Sequence, residues 1–120
     1  MARKFKFYCV KSWSTCKKAK AWLLQKQIEF EEIDLLKSPP DLEELKHLAG
    51  LADLQVKDLI NRKSQVFKKL QPDLSSLLPE ELAALVQENP RILIRPLLSD
   101  GSILLIGFKE EKYQQLLTQQ

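Results

Sequence analysis

The stretch from Lys4 to Asp34 constrains the fold more than any other part of the chain. Lys4 to Cys9 alternates polar and apolar residues as a strand does, Ser14 to Lys26 spaces Ala19, Trp22 and Leu23 along one face of a helix, and Glu29 to Asp34 reads as a second short strand. Strand, helix and strand in that order make a βαβ unit, so the chain is of α/β class. Cys16 falls in the first turn of the helix. There the backbone N–H groups and the positive end of the helix dipole aim at sulfur, and Lys17, Lys18 and Lys20 follow closely; both effects favour thiolate over thiol. A thiolate is the nucleophile of redox and acyl-type cysteine chemistry, so Cys16 is the candidate catalytic residue.

Beyond this unit the pattern turns helical. Pro39-Pro40 punctuates the chain, and Asp41 with Glu44 forms a D-x-x-E capping box ahead of Leu42, Leu45 and Leu48. Val56, Leu59 and Ile60 mark a short helix, Ser64 can cap another bearing Phe67 and Leu70, and Pro79-Glu80-Glu81 opens a third that Asn89-Pro90 stops. Ile92-Leu93-Ile94 and Ile103 to Ile106 then read as strands around the turn signal Ser99-Asp100-Gly101-Ser102, and Glu110 to Leu117 reads as a last helix. The expected architecture is a small mixed β-sheet with flanking helices, built from residues 1–39 and 90–120 and interrupted by a helical insertion over residues 40–89.

Composition bounds the function classes. A chain of 120 residues, 44% hydrophobic and 29% charged, fits one domain over residues 1–120 and is too short for two. No apolar run approaches the roughly 18 residues of a membrane span, and the start leads into strand pattern without a signal-peptide stretch, so a cytosolic monomer with no membrane contact is expected. Two cysteines without a secretion signal argue against a disulfide framework. The net charge is +3, yet residues 1–28 hold eight basic residues and no acid. That electropositive end can attract glutathione, an oxyanion or an acidic protein surface, or can simply be a solvated face. No helix carries a long basic stripe with interleaved aromatics, so direct nucleic-acid binding is not expected. His47, the only histidine, has no partner at ligand spacing, and no metal site is expected.

Three segments carry a family resemblance. Trp13-Ser14-Thr15-Cys16-Lys17-Lys18-Ala19-Lys20-Ala21-Trp22-Leu23 resembles the redox loop and first helix of the arsenate reductase (ArsC)/Spx family of thioredoxin-fold proteins, whose Spx branch has Cys-x-x-Cys, basic residues and Ala-x-x-Trp-Leu. Asn61 to Leu70 resembles the branch's Arg-Ser-x-Val-Phe-x-x-Leu, and Glu88 to Leu97 its Glu-His-Pro…Arg-Arg-Pro-Ile. The resemblance runs from about Phe5 to Leu117 and implies a thioredoxin-like fold, with a cis peptide bond at Arg95-Pro96 facing the cysteine. It also shows departures. Trp13 stands where the family has the first cysteine, which is the nucleophile in arsenate reductases, and of their three oxyanion-binding arginines only Arg95 has a clear counterpart, with Asn61 or Lys63 and Gly107 near the other two positions.

The resemblance assigns a set of further residues. Arg95 would hold an anion through a forked pair of hydrogen bonds, with Lys63, Arg62 and Lys17 as additional anion contacts and Trp13 and Pro96 lining the pocket. Cys9, at the end of an apolar strand, reads as core. A Cys9–Cys16 disulfide needs Cα atoms within about 7 Å, which the intervening loop permits without requiring it.

Two function classes follow from the family. One is a redox-linked regulator of Spx type that binds the C-terminal domain of the RNA polymerase α subunit. The other is a single-thiol reductase using Cys16, with no bound cofactor and with glutathione as co-substrate, coupled to glutaredoxin.

Overall fold

The computed structural model describes residues 4–118, so Arg3 of the basic N-terminal segment lies outside the described residues. Strand β1 (Phe5–Cys9) leads into helix α1 (Ser14–Gln25) and strand β2 (Phe30–Asp34). Helix α2 (Leu42–Leu51), a 3₁₀ turn (Val56–Leu59), α3 (Gln65–Leu70), α4 (Pro79–Glu88) and a second 3₁₀ turn (Pro90–Ile92) follow; β3 (Leu97–Ser99), β4 (Leu104–Ile106) and α5 (Glu110–Thr118) complete the order. The strands form one mixed sheet in the order β2-β1-β3-β4. β1 pairs parallel with β2, as a βαβ crossover requires, and antiparallel with β3, which pairs antiparallel with β4.

Strand alternation divides the interior in two. Phe5, Phe7 and Cys9 point to one face of β1, where they pack with Cys16, Ala19, Trp22 and Leu23 of α1 and with Tyr113 and Leu116 of α5. Tyr8 and Val10 point to the other face, into a core shared with Leu45, Leu48, Leu59, Leu82, Val86 and Ile92. The helices between β2 and β3 therefore cover one face of the sheet, and α1 with α5 covers the other. Register keeps the division across β3, since Phe7 opposes Leu98 on the α1 side and Tyr8 opposes Leu97 on the other.

Local signals account for the element starts. The Asp41 carboxylate accepts from the Glu44 N–H at 2.9 Å and caps α2, while the Ser64 hydroxyl accepts from the Phe67 N–H and caps α3. The Glu44 carboxylate does not close the reciprocal box; it accepts from the Tyr8 hydroxyl at 2.6 Å and ties α2 to the sheet.

One expected strand is misplaced. Ile92-Leu93-Ile94 is not part of the sheet: Pro90 opens a 3₁₀ turn, Leu93 makes an isolated bridge with Ile60, and the Ile94 N–H donates to the Leu59 carbonyl at 2.8 Å. The neighbour of β1 is Leu97–Ser99 instead, so Ser99 belongs to the strand and not to the turn. The short helix expected at Val56, Leu59 and Ile60 is a 3₁₀ helix over Val56–Leu59, with Ile60 just beyond it.

Candidate functional site

The site lies where β1 hands over to α1. After Cys9 the chain folds back through a turn in which the Trp13 N–H donates to the Val10 carbonyl at 3.0 Å, and Trp13 is the extended residue ahead of α1. Its carbonyl accepts the Lys17 N–H at 3.0 Å, which sets the helix phase and turns Cys16, the third residue of α1, inward with Ala19, Trp22 and Leu23. Cys16 is 2% exposed, Cys9 is 1% exposed, and both are free thiols. Burial, which the electropositive sequence around Cys16 does not signal, is thus a defining property of this sulfur.

The Cys16 sulfur accepts a hydrogen bond from the Val10 N–H at 3.4 Å. The Cys9 thiol donates to Glu32 Oε1 at 3.7 Å, and the other oxygen of Glu32 pairs with Lys20 Nζ at 2.7 Å. The neighbouring Cys9 thiol does most to bring the Cys16 pKa down to about 7; the Val10 amide and the Arg95 guanidinium add to it, against burial and the Glu32 carboxylate. Cys9 moves the opposite way, held protonated by Cys16 beside it, by burial and by the negative charge of Glu32. Of the two thiols, Cys16 is thereby the nucleophilic sulfur and Cys9 the one that keeps its proton.

Arg95 reaches the site from the segment before β3. The Arg95–Pro96 bond is cis, and the Pro96 carbonyl accepts from the Gly107 N–H at 2.8 Å, fixing this segment against the end of β4. The Arg95 side chain is 7% exposed, and both terminal nitrogens are buried without a hydrogen-bond partner. Burial lowers its pKa to about 10, opposed by the nearby Cys16 sulfur, so the guanidinium stays charged at neutral pH. Its carbon sits 3.3 Å from the centre of the Trp13 ring, a cation–π contact worth roughly 0.5–2 kcal/mol. Trp13 itself is 38% exposed, a lid with its inner face on the cation.

The structure thus brings together Cys16, Arg95, Trp13 and the segment holding Pro96. Lys17, Arg62 and Lys63 stay apart: all three are exposed, and among the described residues none bonds to Cys16 or Arg95. Lys17 is one position, about 100° of helix turn, beyond the inward-facing Cys16, while Arg62 and Lys63 occupy a turn whose Lys63 N–H donates to Asn61 Oδ1. The cation acting on the thiol is Arg95, and Lys20 is engaged with Glu32. Sequence reasoning missed Glu32, and it read Cys9 chiefly as core while leaving a disulfide with Cys16 open. Alternation along β1 carries the signal, because it puts Phe5, Phe7 and Cys9 on the face that α1 must cover. Among the described residues no group of three or more His, Cys, Asp or Glu side chains is placed to hold a metal ion.

A mixed four-stranded sheet flanked by helices, with a thiol of lowered pKa at the first strand–helix junction, defines a thiol protein of thioredoxin-like fold. Residues 8–116 match the ArsC family, and the chain belongs to that family. It is 37% identical over 110 residues to the global transcriptional regulator Spx of Enterococcus faecalis, covering 92% of this chain and 83% of that protein. With the Spx regulator of Streptococcus pneumoniae it shares 35% identity over 106 residues, 88% of this chain and 80% of the relative. The crystal structure of an ArsC family related protein from Bacteroides fragilis superposes with a TM-score of 0.83 at 35% identity, over 97% of this chain and 99% of that one. An arsenate reductase from Vibrio cholerae, 24% identical, shares the fold with a TM-score of 0.80 over 98% of each chain.

Proposed function

We propose that this protein is a thiol-linked transcription regulator of Spx type, acting through RNA polymerase by binding the C-terminal domain of its α subunit. One observation carries the reading against arsenate reduction: Trp13 occupies the family's nucleophile position, and its ring closes over Arg95 at 3.3 Å. An oxyanion reductase needs an open anion site beside its attacking sulfur, whereas here the cation is capped by an indole that cannot attack. The Spx relatives at 35–37% identity support the same reading. A regulator of this kind works in the cytoplasm. Among the described residues no helix is long and apolar enough to cross a membrane.

The Cys16 pKa near 7 favours a second reading, a reductase using one thiol. The Cys16 thiolate would attack one sulfur of a disulfide, expel the other as thiolate, and leave a mixed disulfide that glutathione, or glutaredoxin, reduces.

Biolayer interferometry against the immobilised C-terminal domain of the α subunit, run beside an arsenate assay containing glutathione and glutaredoxin, separates the two. The expected outcome is saturable binding and no arsenate turnover. Turnover that Cys16→Ser abolishes, with no binding to the α domain, would reverse the assignment.

A further inference from the structure

We propose that Cys9 and Cys16 are the dithiol couple of this chain, closing to an intramolecular disulfide when a hydroperoxide oxidises Cys16. Geometry supplies the first argument. The Val10 nitrogen, one peptide bond beyond the Cys9 Cα, is 3.4 Å from the Cys16 sulfur. That sulfur therefore lies no more than about 6 Å from the Cys9 Cα, and both cysteine side chains pack in the one buried cluster between β1 and α1. The separation suits a cross-link. Trp13 has no sulfur to offer, so Cys9 is the one partner that Cys16 can find within the chain.

The surrounding groups fit an oxidation in two steps. In the first, the Cys16 thiolate attacks the terminal peroxide oxygen; the O–O bond breaks, Cys16 becomes a sulfenic acid, and the hydroperoxide is reduced to water or an alcohol after taking up a proton. Val10 N–H and Arg95 favour the thiolate that attacks. In the second step Cys9 loses its proton to Glu32, 3.7 Å away and held by Lys20, and its sulfur attacks the Cys16 sulfur. The S–O bond breaks as the S–S bond forms, and hydroxide leaves with the proton from Glu32 as water. Two thiols are oxidised and one hydroperoxide is reduced. Both sulfurs are 1–2% exposed, which suits a small hydroperoxide as the oxidant.

As the input to a regulator, this couple rests on the reading given under Proposed function, but its chemistry is measured separately from polymerase binding. The reduced full chain is treated with one equivalent of hydrogen peroxide at pH 7, alkylated with N-ethylmaleimide under denaturing conditions and mapped after trypsin, which separates Cys9 from Cys16 at Lys11. The expected map shows the two peptides joined, loss of both maleimide adducts and full recovery of both with dithiothreitol. In Cys9→Ser and Cys9→Ala, closure is lost and dimedone captures Cys16 as its sulfenic acid. The proposal is overturned by dimedone on Cys16 of the unaltered protein with Cys9 still free, by a link between two chains, or by two untouched thiols. The map on the unaltered protein decides the matter even where a Cys9 variant does not fold. Disulfide closure without polymerase binding in either redox state removes the regulator and leaves the couple, while polymerase binding without closure removes the couple alone.

Discussion

Cys16 shows how little a helix position says until the tertiary structure adds its neighbours. The first turn of α1 supplies the phase that points the sulfur inward, yet the lowered pKa comes chiefly from Cys9, then from the Val10 amide and from Arg95, which arrives from the far end of the chain. Lys17 and Lys18, adjacent in sequence, remain exposed. The thiolate is the alkylated form, so the iodoacetamide rate at Cys16 should rise with pH and level off above about 7. Arg95→Ala, which removes a positive charge, and Cys9→Ala, which removes the neighbouring thiol, should each move the midpoint upward. A rate at Cys16 that climbs through about pH 8.5, as for an unperturbed thiol, would contradict this account. The nucleophile's location was legible in the sequence because strand, loop and helix are local patterns. Its acidity was not, since two of its three sources depend on side chains that only folding brings together.

Elements divide in the same way. Caps at Asp41 and Ser64 and the proline start of α4 were readable because each is settled within one turn of chain. Which apolar run pairs with β1 was not, because Ile92-Leu93-Ile94 and Leu97-Leu98 have equal claims on hydrophobicity. The contest is decided at a distance: the Asn61 N–H donates to the Ile92 carbonyl at 2.7 Å and the Ile94 N–H to the Leu59 carbonyl, committing the first run to the helical layer. Ser64 strengthens that commitment. It is 4% exposed, accepts from the Phe67 N–H and donates to the Arg91 carbonyl at 3.3 Å, so one hydroxyl caps α3 and fastens it to the 3₁₀ turn of residues 90–92. Ser64→Ala removes both bonds and leaves the part-buried Arg91 carbonyl without this donor. The expected loss is about 1–2 kcal/mol, read as a lower urea midpoint at unchanged m-value. An unshifted midpoint would show that the hydroxyl contributes nothing net.

At the scale of the whole molecule the central strand serves two interiors, and this bears on whether the helical layer is a separable appendage. Tyr8 and Val10 face the core of α2, α4 and the 3₁₀ turns, while Phe7 and Cys9, on the same strand, face α1 and α5. The Tyr8–Glu44 hydrogen bond and the Ile60–Leu93 bridge add polar links between segments far apart in the chain. Loss of packing on one face therefore withdraws support from the strand that forms the other. Leu48 tests this, because it is 1% exposed in α2 and lies in the first core, whereas Trp22 reports on the second. Leu48→Ala should cost about 2–5 kcal/mol as a cavity in a packed core. Cooperativity adds a sharper expectation: urea transitions followed by far-ultraviolet circular dichroism, which weighs all the helices, and by tryptophan fluorescence, which reports from the α1 side, should shift together and remain superimposable. Helical signal lost at lower urea while the tryptophan emission holds its midpoint would mean that the layer between β2 and β3 unfolds alone. The chain would then consist of two units sharing a strand rather than one cooperative domain.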